Sequence, residues 1–168
     1  MGLVQVATET VTSAVSTLDL IGTTTNDVYM ITITGYIPDT DVNDLRARVL
    51  ESSSANSTSN YDRAMKVLRA DTTFQNLANT NETYYDLTTS VGNNTGEQMN
   101  GILYLYNANN SSEYTFLTME NVQLSATALL IGNQGGAVFT SASAVNGLQF
   151  FAGGGDIGSG TFTLYRVV

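Results

Sequence analysis

The chain has no cysteine, no histidine and no tryptophan, and only one proline, Pro38, and one lysine, Lys66. Without cysteine there is no disulfide and no thiolate metal site, so packing must hold the fold together. Without histidine, the side chain that most often moves protons near neutral pH is missing. The two absences remove thiol nucleophiles, most general-base designs and the usual zinc sites. Charge is scarce as well. Charged residues make up 12% of the chain, about half the share of roughly 25% found in ordinary soluble domains. Six basic residues face fifteen acidic ones, for a net charge of −9. Arg46, Arg48, Arg63, Lys66, Arg69 and Arg166 are scattered, so no partner with a phosphate backbone and no anionic membrane surface is expected. No apolar run approaches membrane-spanning length. The start, MGLVQVATETVTS, lacks the basic region and apolar run of a signal peptide. Val6 stands where a myristoylation signal at Gly2 would need Ser or Thr.

What is present points to β-structure. The 168 residues fit one domain, residues 1–168, and 42% of them are hydrophobic. The polar remainder is mostly Ser, Thr, Asn and Gly, which suits short strands, tight turns and a surface pressed against neighbours. Period-two alternation predicts strands along the chain. Asp27–Tyr36 is the clearest, with Tyr29, Ile31 and Ile33 on one face and a fairly apolar opposite face, as in a central strand. Leu45–Leu50, Thr83–Val91, Ile102–Tyr106, Tyr114–Met119 and Leu124–Ile131 follow, with Asn76–Glu82 read as loop and GNQGG as the end of the last strand. Tyr61–Ala70 fits a short helix or a strand, and its β surroundings favour the strand. Val4–Val15 predicts a first strand or an extended arm within residues 1–26. At the C-terminus, Leu148 and Phe150 alternate on one strand and Phe162 and Leu164 on another. The glycine-rich GGGDIGSG between them predicts a closing hairpin. The expected architecture is an all-β, jelly-roll-like antiparallel β-sandwich of about eight to ten strands with little helix.

Chemistry can be tested residue by residue. Paired carboxylates suffice for glycoside hydrolysis, but Asp62, Asp71, Asp86 and Asp156 sit beside turns, where solvated carboxylates are usual. No nucleophile–base pair emerges, so no catalytic residue, cofactor or enzymatic activity is expected. Asp39–Asp44 alternates oxygen ligands like a calcium loop. However, Asp44 replaces the turn glycine and Leu50 the closing glutamate, so a plain acidic turn is the simpler reading. Asn-x-Ser/Thr triplets begin at Asn56, Asn81, Asn93, Asn109 and Asn110, as expected by chance in so Asn- and Thr-rich a chain. GGGDIGSG lacks the ending of a phosphate loop. Tyr104 and Tyr106 share a strand face, which suits either a packed interface or stacking on sugar rings. Val4 and Val6 mark a strand able to extend a neighbour's sheet. These four residues, Val4, Val6, Tyr104 and Tyr106, are the candidate interface.

Three blocks carry a family resemblance. Val91–Tyr106 reads VGN-x-x-GE-x-x-NG-x-x-x-LY, Tyr114–Phe116 reads YTF, and Asn146–Tyr165 combines N-x-L-x-F with G-x-I-x-SGTF-x-LY. With YMITITGYIPDTDVNDLRARV upstream, they resemble the short β-sandwich virion proteins of tailed bacteriophages, particularly those infecting marine bacteria. The resemblance runs from about Val28 onward. It implies a structural protein of the virion, with the major capsid protein and other virion subunits as partners and a homo-oligomeric state, a trimer by analogy. The absence of coiled-coil heptads and fibrous repeats favours a capsid decoration protein over a tail fibre or receptor-binding module.

Overall fold

The computed structural model describes residues 2–168. Thirteen strands are formed and no helix is present among the described residues, so none is long and apolar enough to cross a membrane. The first five strands are β1 (Leu3–Val11), β2 (Leu18–Ile21), β3 (Tyr29–Pro38), β4 (Leu45–Glu51) and the two-residue β5 (Ser54–Ala55). The middle of the chain forms β6 (Tyr61–Arg69), β7 (Gln75–Glu82), the two-residue β8 (Tyr85–Asp86) and β9 (Met99–Tyr106). The chain finishes with β10 (Thr115–Leu124), β11 (Leu130–Phe139), β12 (Val145–Ala152) and β13 (Ile157–Val167). An eight-stranded sheet has the order β1-β13-β3-β9-β10-β11-β6-β7. A second sheet has the order β2-β12-β4-β5, with β8 also paired to β4. All pairings are antiparallel, and the architecture is the expected all-β sandwich.

The core follows from the alternation. Tyr29, Ile31 and Ile33 of β3, Phe162 and Leu164 of β13, and Leu103 and Leu105 of β9 all point between the sheets. They meet Leu20, Ala47, Val49, Leu148 and Phe150 from the smaller sheet. The Tyr61–Ala70 segment is a strand: Tyr61, Met65 and Val67 are buried while Ala64, Lys66 and Leu68 face out.

The C-terminal hairpin is corrected. β12 pairs with β2 and β4, whereas β13 pairs with β1 and β3, so the two arms lie in different sheets. The glycine segment is an arch that carries the chain across the sandwich. Gly155 takes φ +73°, and a side chain there would run into Asp39 and Thr40. Phe150 and Phe162 meet across the core with their rings tilted by 41° and centroids 4.9 Å apart, instead of pairing along a ladder. Alternation reports which way side chains point. It does not distinguish a hydrogen-bonded neighbour from a packing partner.

Three other assignments change. Gln75–Glu82 is the edge strand β7, not a loop. Thr83–Val91 forms only the short β8 and a bridge at Val91, because side chains interrupt the ladder with β4: Thr88 Oγ1 takes the Leu45 amide at 2.8 Å and Asp44 Oδ1 accepts from the Ser90 amide at 2.6 Å. The expected Leu124–Ile131 strand is the turn between β10 and β11, and GNQGG lies within β11, where Gly135 lets the β6 backbone approach at a point where a Cβ would collide with it.

The larger sheet has a polar stripe on its inner face. Asn121, Gln123 and Asn133 are buried there. Asn133 donates to Asn121 at 2.8 Å, Asn121 donates to the Leu87 carbonyl at 2.8 Å, and Gln123 donates to the Thr89 carbonyl. These amides fasten the irregular 87–91 segment over β10 and β11, satisfying carbonyls that no ladder reaches.

Three core tyrosines set an alkaline limit. Burial raises Tyr36, Tyr61 and Tyr85 above the ordinary phenol value. In the unfolded chain these phenols ionise near pH 10. The stability they contribute is therefore complete below about pH 10 and is lost as pH rises above it. Loss of β-sheet circular dichroism is expected to coincide with a cooperative rise in tyrosinate absorbance. Ionisation of all nine tyrosines with the sheet intact would sink this expectation. The Tyr85 hydroxyl has no partner, so Tyr85→Phe should leave stability unchanged or raise it by up to about 1 kcal/mol.

Candidate functional site

The outer face of the eight-stranded sheet has no second layer over it. Registers place its outward residues in rows. One row runs Tyr104, Thr118, Gly136, Ala64 and Ala78 across β9, β10, β11, β6 and β7. The next runs Ile102, Glu120, Gln134, Lys66 and Asn76 across the same strands. Ile102, Tyr104, Tyr106, Phe116 and Val122 are each 36–47% exposed, which is a contiguous apolar surface and not scattered single residues. They crowd β9 and β10. In the Tyr104 row the outward positions on β11, β6 and β7 shrink to Gly136, Ala64 and Ala78. This leaves a shallow hollow of about 570 Å³, with Phe116 and Val138 at its rim. Toward the other edge, Thr8 and Thr10 of β1 meet Thr163 and Thr161 of β13, with hydroxyl oxygens 3.2 and 3.1 Å apart. The expected pairing of Tyr104 with Tyr106 on one face is present, and their rings sit at the centre of this surface.

Val4 and Val6 lie elsewhere. They belong to β1, which is paired to β13 of its own chain and is not a free arm. β1 is nonetheless the edge of the sheet, with a bulge between Gln5 and Ala7, and Leu3, Val4 and Val6 remain 51, 46 and 40% exposed. An apolar edge with a single charged residue, Glu9, has few of the devices that keep strands from adding to it. The structure therefore divides the four candidate residues between two surfaces: the tyrosines on a sheet face, the valines along a sheet edge.

The Asp39–Asp44 turn spends its oxygens on its own chain. Asp39 Oδ1 accepts from the Asp156 amide at 2.7 Å, Asp41 Oδ1 from the Asn93 amide at 3.2 Å, and Asn43 Oδ1 from the Gly154 amide at 2.8 Å. Burial pushes the Asp44 carboxyl up, and the Ser90 amide pulls it partly back. The turn thus ties the glycine arch and the 90–93 loop together at one end of the sandwich. No three acidic side chains converge as a metal site among the described residues.

Sequence reasoning missed one charged assembly. Arg63 points inward from β6 and forms an ion pair with Asp86 of β8 at 3.4 Å, while Asp86 accepts a hydrogen bond from Arg46 of β4 at 2.8 Å. On the outside of the smaller sheet, Arg46 lies over the Tyr84 ring at 4.3 Å and Arg48 over Phe151 at 4.5 Å. Two of the chain's six basic residues thus share one carboxylate, and a third, Arg48, is held by the Thr83 carbonyl and the Phe151 ring. Alternation of Arg46 and Arg48 with apolar neighbours was visible in the sequence, but the ring partners come from β12 and the 83–86 segment and carried no local signal.

No family model, curated protein or solved structure is found to match this chain.

Proposed function

We propose that the protein is a structural protein of a bacteriophage virion, a decoration subunit that binds the outer capsid surface and stabilises the shell. One observation carries this reading: an unpartnered aromatic sheet face and an apolar sheet edge coexist with carboxylates and guanidinium groups that are spent on internal contacts. That combination fits packing against other proteins better than turnover of a substrate. The mechanism is passive. Each subunit contributes binding energy only to the assembled shell, and mass action shifts the balance toward it. β1, with Val4 and Val6, is the element offered to a capsid neighbour, as a strand added at an open edge. The three blocks that resemble virion proteins map onto β9 with its preceding turn, the start of β10, and the β12–arch–β13 unit.

The test is location. Immunogold labelling or a reconstruction of particles carrying the protein should place it on the head, and particles lacking it should lose their contents at lower temperature or salt stress. Labelling confined to tail fibres would overturn the decoration role. A second reading, a tail module recognising host-surface polysaccharide, draws on the outward rings of Tyr104 and Tyr106, which offer flat faces to sugars. Saturable binding of purified protein to host cells, competed by that polysaccharide and lost in Tyr104→Ala, would favour it.

A further inference from the structure

We propose that the outer face of the eight-stranded sheet is a two-fold interface that pairs this chain with a second copy of itself. The inference does not need the virion assignment; with the sheet face covered by a second copy, the β1 edge is the surface left for a capsid neighbour. It rests on how bulk and charge are distributed about β11. In the Tyr104 row the bulk lies on one side of that strand, on β9, and the small residues Ala64 and Ala78 lie on the other, on β6 and β7. A two-fold axis lying in the interface and running along β11 superposes β10 of one copy on β6 of the other, and β9 on β7, while each residue stays in its own row.

The rows then complement one another. Tyr104 comes over Ala78 of the partner copy, at the hollow lined by Ala64, Ala78 and Gly136. Val122 comes over the partner copy's Leu68, apolar against apolar, with exposures of 47 and 42% in the single chain. Glu120 comes over the partner copy's Lys66, and the symmetry repeats that pair on the other side. Within one chain Glu120 and Lys66 are separated by β11, at about 9–10 Å for two strand spacings, and neither forms an ion pair among the described residues. They are the central charges of the face. The other carboxylate at the hollow, Asp62, lies in the Phe116 row and accepts from the Asn81 amide of its own chain at 2.8 Å. One operation both pairs Glu120 with Lys66 and brings Tyr104 to the hollow. A two-fold contact requires this kind of self-complementarity, in which residue i meets j and j meets i.

The scale is adequate. Five strands at about 4.8 Å and seven residues at about 3.4 Å give a flat footprint of roughly 570 Å². Side-chain relief raises the accessible area toward the ~800 Å² per partner of a stable interface. Strand directions coincide under this axis, which is the aligned arrangement of sheets packed face to face.

Sedimentation velocity and light scattering on the full chain test the proposal. The expected species is a dimer. Glu120→Lys or Lys66→Glu alone places like charges opposite one another and should weaken the dimer at least ~10-fold. The double swap Glu120→Lys/Lys66→Glu restores the pairing and should return the dissociation constant to within about 3-fold of the original. Ala78→Arg, on an exposed edge strand, fills the hollow and should also dissociate the dimer, with unchanged circular dichroism showing that the fold survives. A chain that stays monomeric to about 100 µM, a trimer, or a dimer indifferent to the single swaps overturns the proposal. So does failure of the double swap to rescue.

Discussion

Replacing Phe162 by alanine is expected to cost about 3–5 kcal/mol of folding stability. Phe162 is fully buried on β13, the strand that joins β1 to β3, and its ring lies 4.9 Å from that of Phe150 on the opposite sheet. The pair closes the gap between the sheets beside the glycine arch. Removing one ring opens a cavity bounded by two hydrogen-bonded ladders, and ladders cannot slide inward to fill it without breaking register. For a chain of this size the melting temperature should fall by about 10 °C. Urea unfolding should show a lower midpoint with an unchanged slope. A loss below about 1 kcal/mol would mean that the sheets can close over the gap.

The second large effect is expected at Asp86. Arg63 points into the sandwich with a side chain only 7% exposed, and Asp86, 13% exposed, is its one anionic partner. Asn79 Oδ1 accepts from Arg63 Nη2 at 3.0 Å, while Nε has no partner. Asp86→Ala leaves that cation between two sheets without the one carboxylate in ion-pair contact with it among the described residues. Removing one member of a buried pair typically costs about 3–5 kcal/mol. Some solvent reaches Asp86, so about 2–4 kcal/mol is the expectation here. The cost arises from the stranded charge more than from the lost contact. Arg63→Met in the Asp86→Ala background should therefore recover most of the stability, a coupling that a double-mutant cycle measures directly. Equal stability of the single and double variants would show that Arg63 does not depend on Asp86.

These two sites illustrate what could be read from residues alone. Phe150, Phe162 and Leu164 were expected in the core from alternation, and they are there. β3 and β9 were legible as apolar strands, whereas Tyr61–Ala70 fitted a helix as well as a strand and only its β surroundings favoured β6. Arg63 was not legible, because an arginine in phase with Tyr61, Met65 and Val67 is indistinguishable from a surface residue until its carboxylate is known. The inward amides Asn121, Gln123 and Asn133 were hidden likewise. They serve an irregular segment that crosses the sheet instead of joining it. β7 escaped notice because an edge strand with both faces largely exposed has no period to detect. The segment after it misled in the opposite way: Tyr85, Leu87 and Val91 are buried in phase, yet the Ser90 amide goes to a side chain and the ladder with β4 is interrupted. At the candidate interface the large half was visible as ILYLY. The small half, Ala64, Ala78 and Gly136, is assembled from three strands distant in sequence.

The position of β13 between β1 and β3 also bears on how the protein is made. Thr8 and Thr163, hydrogen-bonded neighbours in the finished sheet, are 155 residues apart. A ribosome delivers β1 and β3 long before the strand that must lie between them, so for most of translation both keep an unpaired apolar edge. Such contacts form slowly, and waiting edges invite pairing with the wrong chain. Yield in a heterologous host should thus respond to slower synthesis and added chaperone more than to any change that strengthens the finished core.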